Sequence, residues 1–185
     1  MTNQEIEIKF RVDDIEVLTS RLSAAGFYQV TERTHEMNIL YDLPSEPLRR
    51  RGSLLRIRQY GPKWTVTYKD RSESSDSRHK SRREIETTVA DGQRLAEILI
   101  AAGFKPGFAY EKFRSEWADR TGHVVIDETP IGNFAEIEGP PQWIDETAGR
   151  LQVPRDRYIK SSYAELFADW KRETGSQAEQ MVFQG

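Results

Sequence analysis

The chain has 185 residues and no cysteine, which excludes disulfides, thiolate metal sites and a cysteine nucleophile and suits one domain of ordinary size. Its 27 basic and 30 acidic residues leave a net charge of -3, without the overall basic bias of a polynucleotide-binding protein. No apolar run approaches the ~20 residues that span a bilayer, and the polar N-terminus has no apolar signal segment, so a cytoplasmic location is expected.

In chain order, Glu5, Glu7 and Lys9 come first, alternating with Ile6, Ile8 and Phe10. Strand side chains alternate between faces, so both carboxylates and the ammonium share one face and the three apolar groups the other. Carboxylates one strand repeat apart sit roughly 6 to 7 Å apart at the backbone, close enough to converge on one oxygen-ligated divalent cation. Lys9 beside them can hold an anion carried in with that cation. Asp13 or Asp14 then caps a helix bearing Ile15, Leu18 and Leu22 that stops at Gly26.

The next strand alternates His35, Met37 and Ile39 with Glu36, Asn38 and Leu40 before a turn near Asp42 and Pro44. Arg56 and Arg58 flank Ile57; a hairpin turn at 61–63 leads to Thr65, Thr67 and Lys69 around Val66 and Tyr68. Residues 71–80 form a polar loop able to close over a ligand, and Glu84 and Glu86 then flank Ile85. Asp91 caps a second helix with Leu95, Ile98, Leu99 and Ala102, ending at Gly103. Lys112, Arg114 and Glu116 alternate around Phe113 in a strand from Tyr110 to Trp117, which turns at 120–122 into Val124, Val125, Ile126 and Asp127. Glu136 and Glu138 flank Ile137, Pro140 and Pro141 mark a turn, and a last helix covers Tyr163–Lys171. A single domain is expected over 1–172, with a loose tail after about Glu173.

The chain repeats itself. A Glu-Ile-Glu or Glu-x-Glu strand, an Asp-capped helix and an Ala-Ala-Gly-Phe stop recur at an offset of 77 to 79 residues, giving two halves of about 5–60 and 84–140. Many strands with charge on one face suggest a closed barrel, since closure removes exposed edges. The charges can line its outside or its lumen. Six carboxylates (Glu5, Glu7, Glu86, Asp127, Glu136, Glu138) set against five cations (Lys9, Arg56, Arg58, Lys69, Arg114) favour a polar lumen whose missing third party is a metal-bound polyanion. The basic runs at 49–51 and 78–83 lack interleaved stacking aromatics, so a nucleic-acid partner is not expected. Glu84 and Lys112 share strand parity with Glu86 and Arg114, which leaves two places for them, in the lumen or at its rim. His35, His79 and His123 are read as structural or surface groups, and the four Trp as packing between barrel and helices.

The ordered set resembles the CYTH superfamily, the triphosphate tunnel metalloenzymes, which includes class IV adenylyl cyclases, thiamine triphosphatases and inorganic tripolyphosphatases. The motifs are Glu5-Ile6-Glu7-Ile8-Lys9, Leu55-Arg56-Ile57-Arg58, Lys69, Arg83-Glu84-Ile85-Glu86, Glu111-Lys112-Phe113-Arg114, Ile126-Asp127, Gly132 to Glu138 and Lys160-Ser161-Ser162-Tyr163. The resemblance implies an α+β fold: an eight-stranded antiparallel barrel with a polar lumen and helices outside, binding a triphosphate with Mg²⁺ or Mn²⁺. It implies metal carboxylates at Glu5, Glu7 and Glu138, with Asp127, Glu136 and Glu86 available for a second metal or an activated water. Phosphate binding falls to Lys9, Arg56, Arg58, Lys69, Arg114 and Lys160, and Lys9, Lys69, Glu86 and Arg114 become the catalytic candidates. The expected activity is hydrolysis of an inorganic or organic triphosphate. The alternatives are cyclisation of ATP to cyclic AMP and pyrophosphate, and a non-catalytic polyphosphate or nucleotide sensor. Oligomeric state is not legible in the sequence.

Overall fold

The computed structural model describes residues 3–70 and 79–184. Strands β1 (Asn3–Arg11), β2 (Tyr28–Asp42), β3 (Leu54–Tyr60), β4 (Lys63–Lys69), β5 (Lys80–Val89), β6 (Lys105–Ala118), β7 (His123–Thr129) and β8 (Gly132–Glu138) close into a barrel. Its order is β1-β5-β4-β3-β2-β6-β7-β8, every neighbouring pair antiparallel. Among the described residues five α-helices accompany it: α1 (Ile15–Ala24), α2 (Pro47–Arg50), α3 (Gly92–Ala101), α4 (Pro141–Arg150) and α5 (Tyr163–Thr174).

The repeat is visible in the connectivity. β1-α1-β2-β3-β4 and β5-α3-β6-β7-β8 follow the same path, and the two halves interlock: equivalent strands pair, β1 with β5 and β2 with β6, and β1 and β5 each also pair with the last strand of the other half, β8 and β4. Local chemistry repeats with it. Asp14 accepts from the Val17 amide at 3.1 Å and Asp91 from the Arg94 amide at 2.9 Å, the two N-caps expected from the sequence. Gly26 and Gly103 end the two helices at φ 83° and 95°, a left-handed conformation that a Cβ would disfavour.

Alternation along the strands decides inside from outside. Ile8 and Phe10 of β1, Val124 and Ile126 of β7 and Ala135 and Ile137 of β8 point outward into a buried apolar layer. Leu18 and Leu22 of α1 and Ile144, Ala148 and Leu151 at α4 cover that layer. The opposite faces carry the charges, so the barrel is inverted: polar lumen, apolar exterior roofed by helices. A second apolar cluster joins Tyr110, Ile131 and Phe134 to Tyr163, Leu166 and Phe167 of α5 and to Met181.

Two expectations are corrected. Pro140-Pro141 does not simply mark a turn: Pro141 occupies the first turn of α4, where its missing N–H costs nothing. The residues after Glu173 are not a loose tail. The first half of β6 has no β7 partner, since the β6–β7 ladder starts at Phe113. The C-terminal segment takes that free edge: Glu111 N donates to Met181 O at 2.8 Å and Met181 N to Ala109 O at 3.1 Å. Met181 is fully buried, and Phe183 packs on Phe113 with ring centroids 5.2 Å apart. Met181→Ala is expected to lower the unfolding free energy by about 2 to 4 kcal/mol, read from the urea midpoint at unchanged slope. An unchanged midpoint would mean the segment contributes nothing to the fold.

Candidate active site

The lumen encloses a cavity of about 810 Å³. Of the residues singled out in the sequence, Glu5, Glu7, Lys9, Arg56, Arg58, Lys69, Glu86, Arg114, Glu136 and Glu138 all line it. Asp127 and Lys160 do not. Lys160 is exposed beyond β8, while Asp127 is fully buried behind the lining, where it anchors cations. The polar loop placed at 71–80 lies outside the described residues except for His79 and Lys80.

Cations of β1, β3 and β6 are held by ion pairs. Arg114 Nε and Nη2 grip Asp127 at 2.7 and 2.6 Å, and Nη2 also reaches Glu136 at 2.7 Å. Lys112 donates to Asp127 at 2.9 Å and is only 2% exposed; it lies in the lumen wall rather than at a rim. Lys9 meets Glu136 at 3.2 Å and the Ser161 carbonyl at 3.2 Å. Arg58 pairs with Glu86 at 3.2 Å, and Thr67 Oγ1 fixes the same carboxylate at 2.6 Å. Each guanidinium or ammonium is thus held in place before any ligand arrives, which removes part of the ordering cost of binding a polyanion.

The carboxylates fall into two electrostatic classes. Burial pushes Glu136 up, but Lys9, Arg114 and Lys112 overcome it and hold the acid well below the usual carboxylate range. Glu138, two residues along on the same face, has no cation within ion-pair distance among the described residues. Burial, together with the charges of Glu136, Glu5 and Glu7, pushes it up to about 8. Glu5, Glu7 and Glu138 offer oxygens that lie within 4.8 Å of one another. β1 and β8 create this trio, because Glu7 and Glu138 are direct partners in their ladder and Glu5 follows on the same face. Three converging carboxylates, of which Glu138 has no ion-pair partner among the described residues, are the donor set a hard divalent cation requires, so the residues fit such an ion.

The sign of the Glu138 shift gives a test. A carboxyl whose folded pKa is raised contributes stability that is complete below its ordinary value of 4.5 and is lost as pH rises through about 8. Metal-free protein in chelator is therefore expected to lose stability across that interval, and Glu138→Gln to flatten the profile, in denaturation midpoints taken at several pH values. A wild-type profile that rises over the same range would contradict the assignment.

Sequence reasoning gave Glu36 no role. It lies on β2, fully buried, 3.4 Å from Lys112, 3.9 Å from Arg114 and 4.0 Å from Arg58. Burial raises its pKa, but Lys112, Arg114, Arg58 and Arg56 bring it down to about 2. The signal was its parity with Asn38 on a strand whose neighbours carry lumen charges. Tyr163 was likewise missed as an inward group: its hydroxyl donates to Asp127 at 2.6 Å, and Lys9 lies 4.3 Å above its ring. Glu84 lines the cavity and pairs with Lys69 at 2.8 Å. His79 is buried, 3.1 Å from Asp145, in the structural role expected of it, whereas His123 lines the cavity.

Comparison with known proteins agrees with this geometry. The family profile for the CYTH domain matches residues 3–148. The chain belongs to the CYTH family. Among CYTH relatives, a Methanocaldococcus jannaschii protein provisionally named an adenylate cyclase is 28% identical over 173 residues, covering 88% of this chain and 97% of that protein. A Vibrio parahaemolyticus protein, also provisionally named an adenylate cyclase, superposes with a TM-score of 0.79 at 19% identity over 91% of this chain and 99% of its own. A Hippeastrum protein with a TM-score of 0.67 and 20% identity covers 89% of this chain and 95% of its own. Its structure is described as that of a provisional adenylyl cyclase revealing a dominant triphosphatase activity. The two superpositions show a shared fold over about nine-tenths of this chain. No helix among the described residues is long and apolar enough to cross a membrane.

Proposed function

We propose that this chain is a divalent-metal-dependent triphosphatase that hydrolyses an inorganic or organic triphosphate inside the barrel. The observation that carries the reading is one cavity lined both by preorganised cations and by three converging carboxylates, of which Glu138 has no cation partner among the described residues. Glu5, Glu7 and Glu138 would hold Mg²⁺ or Mn²⁺. The ion supplies charge neutralisation at the phosphoryl oxygens. Lys9, Arg56, Arg58, Lys69, Lys112 and Arg114 bind the phosphate chain, and Arg114, gripped on two sides, places its fork with the least freedom. Water attacks the terminal phosphorus, the bond to the bridging oxygen breaks, and orthophosphate leaves from the shortened chain. Glu86, oriented by Thr67 and Arg58, would take the proton of that water. The dominant triphosphatase activity described for the Hippeastrum protein supports hydrolysis.

Cyclisation of ATP is the second reading, favoured by the name of the Methanocaldococcus relative. It uses the same cations, with the ribose 3′ oxygen attacking the α-phosphorus. Phosphorus NMR of the products from ATP and from inorganic tripolyphosphate, each with Mg²⁺ or Mn²⁺, separates the two. Orthophosphate is the expected product. Cyclic AMP with pyrophosphate would establish the cyclase, and binding of both compounds without turnover would leave only a sensor.

A further inference from the structure

Two carboxylates of the trio already carry an ammonium group. Lys69 Nζ lies 2.7 and 2.9 Å from the Glu5 oxygens and 2.8 Å from Glu84. Lys80 Nζ lies 3.3 Å from Glu7 Oε1. Lys80 comes from β5, directly opposite Glu7 in the β1–β5 ladder, with Arg82 one repeat further opposite Glu5. Both line the cavity. Arg82 differs from the other cations there, since among the described residues it has no carboxylate within ion-pair distance. Its Nε is buried without a hydrogen-bond partner. A cavity-lining guanidinium with an orphaned buried donor is suited to receive an anion.

We propose that Lys80 and Arg82 form an anion-binding pair on β5 that is switched on by the metal: Lys80 holds the place of the divalent cation at Glu7 and passes to a phosphate oxygen when the cation takes that carboxylate. This rests on the reading of Glu7 as a metal ligand. The physics is exchange of partners. While Lys80 sits on Glu7, that carboxylate is partly neutralised and Lys80 is unavailable to an anion. A divalent cation on Glu7 repels the ammonium a few ångströms away, and Arg82, unpaired beside it, marks where a phosphate can accept from both. Neither carboxylate nor ammonium is then left without a counter-charge, so metal and polyphosphate each favour the binding of the other. Reciprocal coupling of this kind typically amounts to about 5- to 150-fold in affinity. It also disfavours metal uptake in the absence of substrate.

The test is the affinity of Mn²⁺, measured by electron paramagnetic resonance and calorimetry, with and without the diimido analogue of tripolyphosphate, whose P–N–P bridges resist cleavage. In wild-type protein the analogue is expected to tighten Mn²⁺ about tenfold or more. Lys80→Met is expected to bind Mn²⁺ alone several-fold more tightly than wild type and to lose most of the enhancement. Lys80→Gln serves the same purpose should the apolar variant fail to fold. Arg82→Met is expected to weaken the analogue while leaving Mn²⁺ alone unchanged. Lys80 variants with wild-type Mn²⁺ affinity and wild-type coupling would overturn the proposal while leaving the metal site intact. Wild-type protein that binds no Mn²⁺ under either condition would instead remove the metal reading itself, and this proposal with it.

Discussion

Glu7→Gln is expected to lower triphosphate turnover about 10³-fold, the rate equivalent of about 4 kcal/mol of lost charge stabilisation. The substitution keeps the shape of the side chain and removes one of three converging negative charges. It also relieves like-charge crowding with Glu5 and Glu138, and the Gln carbonyl can still accept from Lys80, 3.3 Å from Glu7, so the thermal midpoint in metal-free buffer is not expected to fall. That combination separates a ligand from a structural acid: activity collapses while stability holds. The assay is orthophosphate release at saturating Mg²⁺ or Mn²⁺, beside a melting curve in chelator. Near-wild-type turnover in a folded variant would remove Glu7 from the site.

Arg114→Met carries a second large effect, of a different kind. Arg114 is 8% exposed and satisfies two buried carboxylates at once, Asp127 and Glu136. Removing one partner of a buried ionic cluster strands the others, at a cost of about 3 to 5 kcal/mol, a large part of the stability of an ordinary domain. Arg114→Lys keeps the charge but loses the planar fork and is expected to fall between the two. Stability is read from urea denaturation and function from kcat/KM on folded protein. Arg114 as a purely structural clamp would leave kcat/KM of the folded Lys variant unchanged; a phosphate ligand would lose at least about tenfold, about 1.4 kcal/mol.

Lys112 and Lys69 show how a lumen of this kind stays folded without ligand. Burying an ammonium is costly unless it is paired, and each of these has carboxylate partners at 2.7 to 3.4 Å. The same pairs that stabilise the empty barrel orient the cations for a polyanion. Glu36 sits where it can compensate three of them at once.

Much of this was written in the sequence. Strand side chains alternate with a period of two, so the parity of Glu5, Glu7 and Lys9, of Arg56 and Arg58, and of Glu136 and Glu138 fixed which residues share a face. The Asp caps and Gly stops of α1 and α3 fixed the repeat, because capping and left-handed backbone are decided within one turn of helix. Parity cannot say which strands are neighbours or at what register. Only the closed barrel set Glu7 against Glu138, so that Glu5, Glu7 and Glu138 form a trio while Glu136, on the same strand as Glu138, went to Lys9 and Arg114. The same closure withdrew Asp127 from the cavity into a cation anchor and gave Glu36 its three cations. It also left β6 with a free edge, and that edge ordered a C-terminal segment whose own sequence carries no strong local signal. Local rules act over a few residues, whereas these assignments depend on charges brought together from strands more than a hundred residues apart in the chain, as Glu7 and Glu138 are.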